Sequence, residues 1–161
     1  MSESFQVPPL FDYAATVAWA LSGAVVGIRK RFDITGVFVI ALLSATGGGL
    51  MRDAFLLRVP AFLTKPVYLP LIAGTTLVVA LFTRLLTGKM KGRTVSKLVD
   101  VIDALGMPAF AVIGMQLAEE RGIPIAGVVF VGVVNGLGGG LLRDVVVRDV
   151  PTLLRPGQFV S

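Results

Sequence analysis

Long apolar stretches alternate with short polar punctuation along this chain, and the stretches lack the one-sided periodicity of elements that show a polar face to water. A bilayer core of roughly 30 Å is crossed by about 20 helical residues, somewhat fewer when flanking side chains snorkel. Five stretches meet this, so the pattern predicts an all-α integral membrane protein. The first, 12–28, stops at the basic run Arg29, Lys30, Arg31. The second, 34–57, is crossed by Gly47, Gly48 and Gly49 and followed by Val59 and Pro60. The third, 67–86, carries Pro70 in its first turn, where a missing amide hydrogen is tolerated. The fourth, 99–117, ends at Glu119, Glu120, Arg121 and Gly122, and the fifth, 123–147, is crossed by Gly138, Gly139 and Gly140. Lys89, Lys91, Arg93 and Lys97 mark the longest polar connection.

An internal repeat organises these stretches. Residues 12–60 align without a gap on 103–151, an offset of 91, and 15 of the 49 pairs are identical. The identities fall on special positions: Asp12 with Asp103, Gly23 with Gly114, Gly36 with Gly127, the three adjacent glycines, Arg52 and Asp53 with Arg143 and Asp144, and Val59 and Pro60 with Val150 and Pro151. Three spans separate equivalent points, an odd number, so the two copies enter the bilayer from opposite faces as an inverted repeat. The organisation expected is a first three-helix repeat over 1–90, a basic cytoplasmic loop over 91–98, and a second repeat over 99–161 that lacks its third helix.

Composition agrees with lipid as the solvent: 55% of residues are apolar and 16% charged, against about a quarter charged in soluble domains, and mean hydropathy is +0.84. The absence of cysteine and histidine removes thiolate and imidazole metal sites, Ser-His and Cys-His nucleophiles and disulfides. No cofactor is expected. The charge of +5 does not point to nucleic acid, because the basic residues flank spans, where they act as a topology signal. Arg29, Lys30, Arg31, Arg84, Lys89, Lys91, Arg93, Lys97, Arg143, Arg148 and Arg155 fall on one side, eleven in all; only Arg52, Arg58, Lys65 and Arg121 fall on the other. The N-terminus is therefore expected outside a multi-pass inner membrane protein. It lacks the positive n-region of a secretory signal, so the first stretch is expected to stay as an anchor.

The chemistry worth testing sits at the glycine triplets. Each glycine costs about 1 kcal/mol of helix propensity relative to alanine, so three in succession inside a span are expected to unwind and turn main-chain polar groups toward water, an ion or protein. The pairs Gly23/Gly27 and Gly132/Gly136 have instead the spacing of close helix contact. Arg52, Asp53, Arg143 and Asp144 lie near or inside the hydrocarbon boundary, where an ionisable group costs about 2.5–3.5 kcal/mol unless paired or wetted. Two readings stay open: Arg52 pairs with Asp144 and Arg143 with Asp53, locking the halves together, or the four groups serve conduction and gating. Adjacent helical residues point about 100° apart, which favours partners other than the immediate neighbour. Ser44 and Asn135 occupy matched positions before the triplets and either line the same constriction or bond back to their helices. Two symmetric arginine–aspartate pairs supply no nucleophile and base, which argues against an enzyme.

The motifs Gly47-Gly48-Gly49-Leu50-Met51-Arg52-Asp53 and Gly138-Gly139-Gly140-Leu141-Leu142-Arg143-Asp144, each followed by Val-Pro, resemble the prokaryotic branch of the trimeric intracellular cation (TRIC) channel family over nearly the whole chain. The same domain is also catalogued as a glycine transporter. The resemblance implies a homotrimer whose subunits each hold an hourglass pore between two inverted three-helix repeats, with the second and fifth helices kinked at the glycines. It implies monovalent cations, chiefly potassium, with sodium as the other candidate, as permeant ions. Carried over by position, Gly47–Gly49 and Gly138–Gly140 surround the pore, with Arg52, Asp53, Arg143 and Asp144 beside them. Family members usually have seven spans, whereas this sequence stops at Ser161 before the sixth and seventh. The lysine-glutamate-valine lipid signature of the eukaryotic branch is not evident. A channel is the leading expectation, with alternating-access transport of a small zwitterion such as glycine the alternative; membrane lipid is the expected partner beyond the ions.

Overall fold

A computed structural model describes residues 9–85, 92–151 and 154. The described residues form α1 (Pro9–Arg29), α2 (Ile34–Phe55), the short α3 (Ala61–Thr64), α4 (Tyr68–Leu85), α5 (Gly92–Glu119) and α6 (Ile125–Val146). Four of these helices are long and apolar enough to cross a membrane; α4 is apolar but shorter over its described length. Exposed Leu77, Val78, Leu81 and Phe82 on α4 and Val129, Phe130 and Val133 on α6 suit a lipid-facing surface. Lys89, Lys91 and the residues beyond Leu154 lie outside the described set. Helix α5 already begins at Gly92, inside the segment 91–98 expected as a loop.

Local chemistry fixes the helix ends, and it recurs at the repeat offset. Pro9 opens α1, where its missing N–H is no loss, and the Asp33 carboxylate caps α2 by accepting from the Gly36 amide at 2.7 Å. After α2, Leu57 turns left-handed at φ 51° and the Arg58 amide reaches back to the Asp53 carbonyl at 2.8 Å. After α6, Arg148 does the same at φ 57° and Asp149 reaches Asp144 at 2.8 Å. Arg31 and Gly122, which follow α1 and α5, are likewise left-handed at 60° and 68°. All four positive-φ positions among the described residues thus pair at an offset of 91.

Helices α1 and α2 pack as one hairpin, α5 and α6 as a second, and the hairpins meet along α2 and α6. The meeting is antiparallel, because Ser44 lies against Gly139 while Gly48 lies against Asn135. Helix α4 covers α1 and α2. Gly23 and Gly27 face α2, and Gly132 and Gly136 face α5, close enough that a Cβ on Gly136 would stand 2.7 Å from the Met107 carbonyl oxygen. Small residues here admit the neighbouring backbone, as membrane helix packing requires.

The triplet glycines do not interrupt either helix. Helices α2 and α6 run through residues 47–49 and 138–140 with α-helical order intact, which corrects the unwinding expected from propensity. Packing overrides the local weakness: a Cβ on Gly48 would fall on the Asn135 carbonyl oxygen, one on Gly139 on the Ser44 carbonyl oxygen, and one on Gly138 would stand 2.9 Å from the Gly48 Cα. The first two glycines of each triplet hold the α2/α6 crossing. The third has different neighbours: the Arg52 guanidinium beside Gly49, and the Trp19 indole followed by the Arg143 guanidinium beside Gly140.

Candidate functional site: two related arginine centres

The C-terminal half of α6 carries a closed polar cluster. Arg143, 1% exposed, donates from Nη2 to Asp103 Oδ2 at 2.8 Å, from Nη1 to Asp103 Oδ1 at 3.1 Å and to Ser22 Oγ at 2.6 Å, and from Nε to Asp144 Oδ1 at 2.8 Å. Ser22 Oγ in turn donates to Asp103 Oδ1 at 2.8 Å. Three helices, α1, α5 and α6, are tied together with the guanidinium fork filled. Trp19 seals the space beside it: a Cβ on Gly140 would stand 3.3 Å from the indole, and one on Gly106 2.7 Å from its Nε1.

Shifting each residue by 91 leads to the related centre on α2, which is built differently. Arg52 donates from Nε to Asp53 Oδ1 at 2.8 Å, and Asp53 Oδ2 accepts from the Ala61 amide at 3.1 Å, capping α3. Asp12, the counterpart of Asp103, is instead held by the Tyr68 hydroxyl from α4. The counterparts of Ser22 and Trp19 are Ile113 and the smaller Phe110. Thr16 and Thr46 replace Met107 and Leu137, and Gln116 replaces Val25. A cavity of about 360 Å³ opens there, lined among others by Asp12, Thr16, Thr46, Gly49, Arg52, Phe110, Ile113, Gln116 and Tyr68, with Arg58, Lys65 and Glu120 toward its exposed rim. One arginine centre is sealed and the other opens on a polar vestibule.

Several site expectations change in consequence. The cross-repeat pairs Arg52–Asp144 and Arg143–Asp53 are not formed; each arginine bonds the aspartate next to it. The Cβ atoms of neighbouring helical residues do diverge by about 100°, but three methylenes let each arginine curl its Nε back to the adjacent aspartate. Ser44 and Asn135 do not meet in a constriction. The Ser44 hydroxyl points at Gly23 of α1, and Asn135 donates from Nδ2 to the Phe110 carbonyl at 2.5 Å, beside Gly114 of α5. Of the triplet glycines, Gly49 borders the cavity, while Gly47, Gly48, Gly138, Gly139 and Gly140 are packed against protein. Sequence reasoning passed over Asp12, Asp103, Ser22 and Tyr68. The repeat itself flagged the first two, as identical acidic residues inside apolar spans.

A family model described as Glycine transporter matches residues 9–84 and 100–160. A UPF0126 membrane protein of Deinococcus radiodurans is 37% identical over 145 residues, which cover 89% of this chain and 64% of that protein. The UPF0126 inner membrane protein YadS of Escherichia coli K12 is 37% identical over 155 residues, 93% of this chain and 70% of YadS. The chain thus spans about two thirds of the length of these relatives. Among solved structures, a prokaryotic TRIC channel in 0.5 M KCl superposes with a TM-score of 0.84 at 28% identity, covering 91% of this chain and 73% of that one. A TRIC orthologue from Rhodobacter sphaeroides gives 0.80 at 30% identity, with the same coverage.

Proposed function

From the premise that the chain belongs to the family whose model is described as Glycine transporter and whose solved members include prokaryotic TRIC channels, we propose that it is a membrane cation channel, conducting monovalent cations, chiefly potassium, through a path inside each subunit. The carrying observation is the vestibule that opens between helices of both copies and reaches Arg52 and Asp12. Threonine hydroxyls, the Gln116 amide and the carboxylates of Asp12, Asp53 and Glu120 are oxygen ligands suited to a partly dehydrated alkali cation, and Arg52 sets an electrostatic threshold among them. Wetting in this reading comes from side chains, not from unwound main chain.

On the opposite side the Arg143, Asp103 and Ser22 cluster closes the path, and conduction requires it to part. Arg143 and Asp144 therefore serve as gate and Arg52 and Asp53 as vestibule. Under the lysine and arginine count the vestibule faces outward and the gate cytoplasmic, with the N-terminus outside. The two hairpins act as an inverted repeat, a reading supported by their antiparallel crossing and matched helix ends. A homotrimer follows the assembly named for one of the similar solved structures.

Planar-bilayer recording of the full-length protein tests this reading: unitary potassium currents are expected, and their absence alongside saturable, gradient-coupled glycine uptake in proteoliposomes would replace the channel with a carrier.

A further inference from the structure

The two arginine centres descend from the same sequence, so the filled one reveals what the guanidinium of the other accepts. At Arg143 the terminal nitrogens hold a carboxylate in the fork, at 3.1 and 2.8 Å. At Arg52 the corresponding carboxylate, Asp12, is engaged by Tyr68, and the corresponding hydroxyl is replaced by Ile113. Arg52 keeps only its Nε bond to Asp53; Nη1 and Nη2 donate to no described residue, although the side chain is only 7% exposed. The guanidinium lies beside Gly49 on the cavity wall, with a Cβ there standing 3.6 Å from Nη2. A buried planar fork facing a polar cavity has the donor geometry for bidentate carboxylate recognition.

We propose that this cavity is a receptor site for a small carboxylate, held by Nη1 and Nη2 of Arg52 as Asp103 is held by Arg143. A carboxylate of the size of acetate or glycine leaves room for water in about 360 Å³. Inorganic polyanions fit poorly, because the three cations lining the cavity, Arg52, Arg58 and Lys65, are balanced by Asp12, Asp53 and Glu120. Tyr68 is the positioning residue: by keeping Asp12 it stops the chain's own carboxylate from taking the fork. This inference goes beyond conduction and does not depend on it, since binding is read at equilibrium without a gradient.

The test is titration of the full-length protein in phosphatidylcholine nanodiscs with acetate and with glycine by calorimetry. Saturable binding of both is expected, each competing with the other, with neither phosphate nor methylammonium displacing them. Arg52→Gln is expected to weaken binding by about tenfold or more, the loss of charge-assisted hydrogen bonds, and Arg52→Lys to restore part of it. Tyr68→Phe leaves Arg52 in place and is also expected to weaken binding, as Asp12 moves into the fork. No saturable binding by the wild type, affinity unchanged in Arg52→Gln, or displacement of acetate by phosphate would overturn the assignment, and affinity unchanged in Tyr68→Phe would overturn the positioning role of Tyr68. Binding without bilayer current would leave it standing while removing the channel reading.

Discussion

Arg143 clasps Asp103 with both terminal nitrogens, whereas Arg52 and Asp12, their counterparts 91 residues earlier, make no hydrogen bond to each other among the described residues. The same two residue types thus produce a sealed joint at one centre and an open vestibule at the other. The difference lies in what surrounds them: Trp19 and Ser22 complete the joint, while Phe110, Ile113 and Tyr68 leave the vestibule open.

Breaking the joint has a definite expected consequence. Asp103→Asn strips the terminal nitrogens of Arg143 of their carboxylate and leaves Asp144 at Nε as its one remaining countercharge among the described residues; breaking a buried pair destabilises by up to about 3–5 kcal/mol. The variant is expected to melt at lower temperature in detergent, and, where enough folded protein survives for bilayer recording, to show a higher open probability. Melting unchanged from wild type would mean the guanidinium has found water, and the joint would not be a seal.

Glycine substitutions separate packing from flexibility. If the triplets served by unwinding, alanine would strengthen the helices and raise stability. The close α2/α6 crossing demands the reverse for Gly48→Ala and Gly139→Ala, whose new methyls collide with carbonyl oxygens; overpacking of this kind costs about 1–3 kcal/mol. Gly49→Ala meets only ordinary contact with Arg52, and Gly74→Ala on α4 meets nothing within 4 Å. Both are expected to melt at or above the wild-type temperature. A uniform response across the four variants would refute the crossing as the reason for the glycines.

Much of the frame was legible in the sequence. Apolar length placed α1, α2, α4 and α6 to within a few residues, while α5 begins at Gly92, ahead of the expected 99, and the short α3 was not anticipated; the self-alignment placed every equivalence later seen in the helix ends. What could not be read was which partner each buried charge chooses. That depends on a third helix bringing Tyr68 to Asp12, and on the flexible reach of arginine, neither of which follows from spacing. The asymmetry was hidden for a related reason. Self-alignment rewards identities, yet the positions that decide which centre is hollow are the mismatches: Trp19 against Phe110, Ser22 against Ile113, Thr46 against Leu137. The unwinding expectation failed because propensity measures a lone helix, while Gly48 and Gly139 sit where another backbone touches them.

Because the chain contains no cysteine, single cysteines report sidedness without background. Thr46 lines the vestibule and Ser22 is fully buried in the joint. In intact cells, Thr46→Cys is expected to react with a small membrane-impermeant thiol reagent added outside, and Ser22→Cys to react from neither side at rest. Adding Trp19→Phe to Ser22→Cys gives the Arg143 centre the ring that the Arg52 centre already carries in Phe110, so the seal should loosen and labelling from the cytoplasmic face of inverted vesicles should appear. Labelling of Thr46→Cys only in inverted vesicles would reverse the orientation drawn from the basic residues while keeping the vestibule. Equal labelling of Ser22→Cys and Thr46→Cys before any change at Trp19 would remove the asymmetry on which the gate assignment rests.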